Sequence, residues 1–295
     1  MNKKIDFAVI ISVKNANPNG DPLNGNRPRI NYDGLGELSD VCLKRKIRNR
    51  LMETSHSIFV QSDDNKVDNY KSLRERAEGE LKGIDMKDDN KYREEACKKW
   101  LDVRAFGQVF AYKGGKKGKK ETEGGEEQGD EKGVSIGIRG PVTIHSAFSI
   151  NPVSISSIQI TKSVSGEGDG SKKASDTMGM KHRVDYGLYV TYGSINPQLA
   201  SKTGFSDEDA EAIKEALKTL FQNDASSARP EGSMEVHKLY WWKHNSNNGQ
   251  YSSAKVHRSL EVAVKSGITD PKCIEDYDIK LQPLDSLVPE IIDGL

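Results

Sequence analysis

The sequence predicts an α+β fold, and three observations predict it. Residues 5–13, IDFAVIISV, form an apolar and β-branched run, the mark of a strand buried on both faces and therefore central in its sheet. Two segments, opening at Ser39 and at Ser206, combine a helix cap with apolar residues at helical spacing. The elements follow the order strand, helix, charged insertion, strands, polar insertion, strand, helix, strand. Two βαβ-like halves on one antiparallel or mixed sheet give that order, and the ferredoxin-like or RNA-recognition-motif plan is its simplest form.

Each element has a local reason. After the first strand comes KNANPNGDPLNGNRPR, residues 14–29, in which Pro18, Pro22 and Pro28 fix φ, Gly20 and Gly25 permit positive φ, and the asparagine amides both donate and accept. Ser39 then caps a helix with an apolar stripe of Leu43, Ile47 and Leu51, and Lys44, Arg45, Lys46, Arg48 and Arg50 cover its remaining surface. From Ser62 to Arg93 the chain is charged and poor in large apolar residues, with helical patches over 70–81 and 91–101. It is read as an insertion that cannot carry a core alone. Residues 113–133 are of low complexity, a basic block before an acidic one, as in a surface loop. Strands are expected over 134–138, 142–148 and 153–160, a polar segment over 162–183, and another strand over 186–192. Ser206 to Asp209 open a helix over 210–221 with the stripe Ile213, Leu217, Leu220 and Phe221. A strand at 236–243 and a short helix at 255–264 complete the reading.

The bulk composition excludes more than it selects. In 295 residues, 44 basic and 44 acidic side chains cancel, so only local charge can point to a partner. Cys42, Cys97 and Cys273 are too far apart in sequence for a close metal pair or a disulfide framework and suit a reducing cytoplasm. The apolar run at the N-terminus contains Asp6 and lacks a small-residue cleavage site, so it does not resemble a secretory signal. No run approaches the roughly 20 apolar residues of a membrane span.

Chemistry-bearing patterns are few. Asn15, Asn17, Asn19, Gly20 and Asn26 fall at positions 1, 3, 5, 6 and 12 of a calcium-loop register, which would make a calcium-binding module. Asparagines replace the required carboxylates, Pro18 intrudes, and no helix precedes the loop, so no metal is expected. A rigid, amide-rich loop followed by Arg27, Arg29 and a basic helix instead suits a sugar-phosphate backbone. The run from Lys44 to Arg50 holds five cations and no acid. Its like-charge pairs, Lys44 with Arg48 and Lys46 with Arg50, cost a few tenths of a kcal/mol each unless an anion binds. The six histidines show no metal spacing, and no Walker, zincin or nucleophile-elbow pattern occurs. Asp21 and Asp102 are the candidates for holding magnesium in phosphodiester cleavage. Tyr240-Trp241-Trp242 is either a base-stacking surface or, more in keeping with an aromatic strand, core.

With these residues assembled, the sequence resembles the backbone subunit of the type I CRISPR effector complex (Cascade), and within that family subtype I-C. The resemblance rests on NPNGDP at Asn17 to Pro22, NRPR at Asn26 to Arg29, DVRAFG at Asp102 to Gly107, GPVTIHSAFSINPV at Gly140 to Val153, and TMGMKHRVDYGLYVTYG at Thr177 to Gly193. It implies a non-enzymatic subunit of antiviral defence without cofactors, having a palm of RNA-recognition-motif type, a helical finger insertion and a thumb hairpin. The palm would comprise 1–57, 102–161 and 185–295, the fingers 58–101 and the thumb 162–184. Several copies would assemble head to tail along the spacer of a CRISPR RNA, hold it for pairing with target DNA, and contact an RNA-processing cap subunit and a large subunit.

Mapped onto this chain, the resemblance implies RNA contacts from Asn17, Asn19, Arg27, Lys44, Arg45, Arg48 and Asn49, with Phe106 and Gln108 nearby on the palm. Met178, Lys181 and His182 would act on the thumb, where Gly166, Gly168 and Gly170 permit an adaptable hairpin. An apolar tip flanked by cations suits the unstacking of a base step. The alternative function is a metal-dependent endoribonuclease, as in backbone subunits of type III systems that cut target RNA with an aspartate, here Asp21 or Asp102.

Overall fold

In the computed structural model, which describes residues 1–85, 88–112, 134–161 and 178–295, strand β1 (Ile5–Ala16) lies inside the main sheet. Every residue from Ile5 to Val13 is buried, as the unbroken apolar run predicts. The polar segment folds back on itself as β2 (Gly20–Asp21) and β3 (Arg27–Pro28), joined by a turn in which Gly25 and Asn26 take positive φ of 58° each. It continues through β4 (Leu35–Leu38) to α1 (Asp40–Glu53). Ser39 caps this helix, its Oγ accepting from the Cys42 N–H at 3.3 Å, and Leu43, Ile47 and Leu51 are buried.

The charged segment forms α2 (Leu73–Glu80) and α3 (Asp89–Lys99), followed by α4 (Leu101–Phe106) and a separate two-stranded sheet of β5 (Gly107–Tyr112) and β6 (Val134–Arg139). A small core joins these pieces. The ring of Phe59 lies 4.6 Å from Trp100 and 5.1 Å from Phe110, with Tyr92, Ala77, Ala96 and Ile136 around them. Its largest side chains come from the borders of the charged stretch and from β5 and β6, so the count of apolar residues over 62–93 understates it. The low-complexity residues 113–133 lie outside the described residues.

The run expected as one strand at 142–148 is two, β7 (Val142–Ile144) and β8 (Ala147–Pro152), because the register against β10 shifts across His145 and Ser146, where the His145 N–H still donates to the Tyr192 carbonyl at 2.8 Å. The Ser146 hydroxyl accepts from the Asp40 N–H at 3.3 Å, at the start of α1. β9 (Ile155–Thr161) pairs with the outer end of β10 (Met178–Ile195), whose inner end pairs with β1. Then follow α5 (Pro197–Thr203), α6 (Asp207–Lys218) with the capping box Ser206 and Asp209, and β11 (Met234–Lys243). The helix expected over 255–264 is a correction. Only α7 (Ser253–Arg258) is helical; Leu260, Val262 and Val264 alternate with exposed Glu261 and Ala263, and that period of two belongs to strand β12 (Leu260–Val264). β13 (Tyr277–Leu281) pairs with it, and β14 (Glu290–Asp293) closes the main sheet.

The order across the main sheet is β14-β11-β1-β10-β8-β4, all antiparallel, with β7 and β9 also paired to β10. One face packs Phe7, Val9, Ile11 and Val13 against the stripes of α1 and α6. The other packs Ala8 and Ile10 with Leu188, Trp242, Val256, Leu260 and Tyr277. Trp241 belongs to the first face and Tyr240 and Trp242 to the second, all buried, so the aromatic run is core. Among the described residues no helix is long and apolar enough to cross a membrane.

Candidate nucleic-acid interface

The five cations of α1 are not a free basic face. Lys46 is 3 % exposed and pairs with Asp224, and burial pulls its ammonium below the usual lysine range against the pull of that carboxylate. Arg50 is held by Glu53, by the Thr219 hydroxyl at 3.1 Å and by the Gln222 amide at 3.0 Å. Both therefore depart from the expected solvent-facing arrangement and tie α1 to the end of α6. Arg48 donates to Asp102 at 2.9 Å and lies over the Phe106 ring, 5.3 Å from its centroid. Lys44 pairs with Asp40 at 2.9 Å, and Arg45, half-exposed, reaches Asp64 at 3.8 Å. The like-charge cost anticipated within α1 is thus offset by carboxylates, Asp40 and Glu53 from the helix itself and Asp64, Asp102 and Asp224 from elsewhere in the fold.

The asparagines of the polar loop mainly hold its shape. Asn17, 4 % exposed, donates its amide to the Asn26 carbonyl at 2.7 Å and closes the turn across nine residues. Asn19 accepts from both the backbone N–H and the hydroxyl of Ser39, at 3.0 and 2.9 Å, so the loop is fastened to the residue that caps α1. A groove of about 780 Å³ opens where this loop, the first turns of α1 and the turn at 223–229 meet. Asn19, Arg45 and Asn49, three of the expected RNA contacts, line it. Arg29, which the sequence places beside the basic helix, lines it as well, and so do Asn65, Asn223 and Arg229, none of these three singled out among the RNA contacts. Asn49 carries a buried Oδ1 without a hydrogen-bond partner among the described residues, an acceptor at the groove wall. No pattern in the sequence marks Arg229; its place follows from the contact of the Asn17 N–H with the Ala228 carbonyl at 2.9 Å.

A second group sits on the arm formed by β9 and the outer half of β10. Buried Val184 marks its root, and beyond it Met178 is 63 % exposed, with Met180, Ile158 and Ile160 also exposed. Cross-strand pairing puts Met178, Met180 and His182 on one face with Thr161, Gln159 and Ser157, while Lys181 belongs to the other. Strand alternation therefore separates Lys181 from the two residues with which the sequence grouped it. The Ser157 hydroxyl meets His182 Nδ1 at 2.8 Å and accepts from Arg27 Nη2 at 2.9 Å, bringing the polar loop to the arm. Gln108, on β5, donates its side-chain amide to the neighbouring Val109 carbonyl at 3.1 Å. Gly166, Gly168 and Gly170 lie outside the described residues.

The two aspartates suggested for a metal are engaged in structure. Asp102, 1 % exposed, accepts from the N–H groups of Phe59 and Val60 at 2.7 and 3.1 Å in addition to Arg48. Asp21 accepts from the Leu23 N–H at 3.2 Å and pairs with Arg29 at 3.3 Å. Their partner sets share no residue, and no group of three or more metal-ligating side chains occurs among the described residues.

Comparison with known proteins adds a family. Similar to this chain is the CRISPR-associated protein Cas7 of Haloferax volcanii, 25 % identical over 228 residues, which are 75 % of this chain and 65 % of that relative. A chain of a solved "CRISPR RNA-guided surveillance complex, pre-nicking" aligns over 90 % of this chain and 84 % of its own, at 13 % identity and a TM-score of 0.47. A second "CRISPR RNA-guided surveillance complex" chain aligns over 90 % and 78 %, at 14 % identity and a TM-score of 0.45. The family model described as CRISPR-associated protein Cas7 matches residues 3–282, nearly the whole sequence, and on that match the chain belongs to the Cas7 family.

Proposed function

We propose that the chain is a non-catalytic backbone subunit of a type I CRISPR effector complex, of subtype I-C, which binds CRISPR RNA through its sugar-phosphate backbone and holds the spacer for pairing with target DNA. Family membership over residues 3–282 carries the proposal. The groove beside α1 supports it locally, because half-exposed Arg45 and partly exposed Arg229, which pairs with Asp224 at 3.0 Å, alternate there with amides (Asn19, Asn49, Asn65), and cations and amides are the donors that grip phosphate and sugar without reading sequence. Copies of the chain assemble head to tail in the cytoplasm, alongside an RNA-processing cap subunit and a large subunit, and RNA length sets their number.

In this reading the palm is the sheet with α1 and α6. The order β11-β1-β10-β7, with α1 and α6 as the crossing helices, supports a ferredoxin-like plan of the RNA-recognition-motif type. The finger is the charged segment with its aromatic core, and the arm of β9 and β10 is the root of the thumb. Arg27, Lys44, Arg45 and Asn49 face RNA on the palm, with Phe106 and Gln108 near it; Asn17, Asn19 and Arg48 shape the surface that does so, and Met178, Lys181 and His182 belong to the thumb. The test is to purify the protein from a host carrying a CRISPR array, compare absorbance at 260 and 280 nm, and sequence the bound nucleic acid. Repeat-spacer RNA that is lost on charge reversal at Arg45 and Arg229 supports the proposal. A protein free of RNA, or RNA binding indifferent to both reversals, sinks it.

A further inference from the structure

From the shared hydroxyl we infer that Ser157 is a positioning residue, locking Arg27 of the polar loop and His182 of the arm into one RNA-contacting unit with a fixed imidazole tautomer. The inference rests on the proposed RNA binding. Its basis is one oxygen touched from both sides: Arg27 Nη2 lies 2.9 Å and His182 Nδ1 2.8 Å from Ser157 Oγ, contacts that span 130 and 25 residues of sequence. Ser157 and His182 are also direct cross-strand partners, so the ladder between β9 and β10 holds their side chains on one face.

The direction of the chain follows from the donors. A guanidinium has only N–H groups to offer, so at the Arg27 contact the hydroxyl must accept. A hydroxyl polarised by a charged donor is a better donor itself, and its one proton then goes to His182 Nδ1. With Nδ1 accepting, the neutral ring carries its hydrogen on Nε2, which has no partner among the described hydrogen bonds. The unit therefore presents two donor groups of different strength, the remaining N–H groups of Arg27 and the Nε2–H of His182. A phosphodiester, which offers acceptors only, meets both. Coupling through Ser157 also means that the arm cannot swing from the loop without breaking a charge-assisted bond.

Two measurements on the full chain test this. In fluorescence anisotropy with a labelled single-stranded RNA of mixed sequence, Ser157→Ala is expected to weaken binding roughly tenfold, the scale of a lost hydrogen bond to a charged group, while Ser157→Thr, which keeps the hydroxyl on a strand-compatible side chain, stays near the parent. In the ring-labelled histidine spectrum, the Cδ2 resonance of His182, assigned by its absence from His182→Gln, is expected at the Nε2–H tautomer position in the parent and at an averaged position in Ser157→Ala. Parent-like RNA affinity in Ser157→Ala overturns the inference, as does an Nδ1–H tautomer in the parent. If the parent itself binds no RNA, the proposed function fails, and the tautomer measurement still decides by itself whether the hydroxyl fixes the ring.

Discussion

Arg45 and Arg48 lie three residues apart on α1, yet the fold gives them different parts. Arg48 spans from Asp102 to the Phe106 ring and is largely buried, whereas Arg45 is half-exposed at the groove with only a long contact to Asp64. Arg45→Glu is therefore expected to lower RNA affinity roughly tenfold with an unchanged melting temperature. Arg48→Glu is expected to cost about 3 kcal/mol of stability, because it sets a second carboxylate against buried Asp102, whose other acceptor bonds hold the Phe59 and Val60 backbone. Thermal melts with RNA titrations separate the two; equal melting temperatures contradict the assignment of Arg48 to the fold. The run of five cations was legible in the sequence, but what each cation does was not. Asp102 lies 54 residues from Arg48 and Asp224 lies 178 residues from Lys46, distances over which a pattern of local charge carries no information.

At the scale of elements, legibility follows how local the cause is. The burial of β1, the Ser39 and Ser206 caps, the stripe of α1 and, on α6, Ile213 and Leu217 rest on neighbouring residues, and all were predicted from them; the helix expected to reach 221 ends at Lys218, leaving Leu220 and Phe221 in the turn beyond it. The break between β7 and β8 depends on where β10 and α1 lie, and the groove depends on a turn that reaches the polar loop from beyond α6. Neither has a local signature. The same holds for Gly193, where β10 crosses β1 opposite Phe7. A Cβ added there would overlap the Phe7 ring and stand 2.5 Å from the Thr143 carbonyl oxygen of β7, hemmed in from two strands. Gly193→Ala is thus expected to destabilise by about 1–3 kcal/mol, the cost of overpacking a core that can shift only by parting strands. Chemical denaturation measures it, and a midpoint equal to the parent's would mean that the ring and strand relax freely.

Charge acts over the whole molecule in two ways, through pH and through salt. Asp6 is fully buried where β1, β11 and α7 meet. Burial pushes its carboxyl up, but the bonds from His244, Ser253 and Lys4 outweigh burial and hold it below the usual range. His244 Nδ1 accepts from the Gln250 N–H at 2.9 Å, so its Nε2–H donates to Asp6 at 2.8 Å. His257, beside Asp6, His145, Tyr192 and Lys4, has its imidazole pulled below 6.5 by burial, against the opposing pull of Asp6. The unfolded chain then takes up that proton first, so stability is expected to fall as pH drops below about 6.5, and to fall again below about 3.8 as Asp6 is protonated. His257→Gln should flatten the first limb of melting temperature against pH; an unchanged limb would assign it elsewhere. Salt tests the groove. Five free cations on α1 would give a slope of about −3.5 in log K against log salt for single-stranded RNA. Here, however, phosphate must replace a carboxylate at Lys44, Arg45, Lys46, Arg48 and Arg50. The released carboxylate takes up a cation as the phosphate gives one up, so such an exchange frees almost no counterion. Only cations without a carboxylate partner contribute in full, and among the described residues Arg27, bonded to a neutral hydroxyl, is one. The slope per subunit is therefore expected at about −1 to −2, and Asp64→Asn, which unpairs Arg45, should steepen it by about 0.7. A parent slope near −3.5 would mean that α1 presents a plain basic face to RNA and that its ion pairs exert no hold.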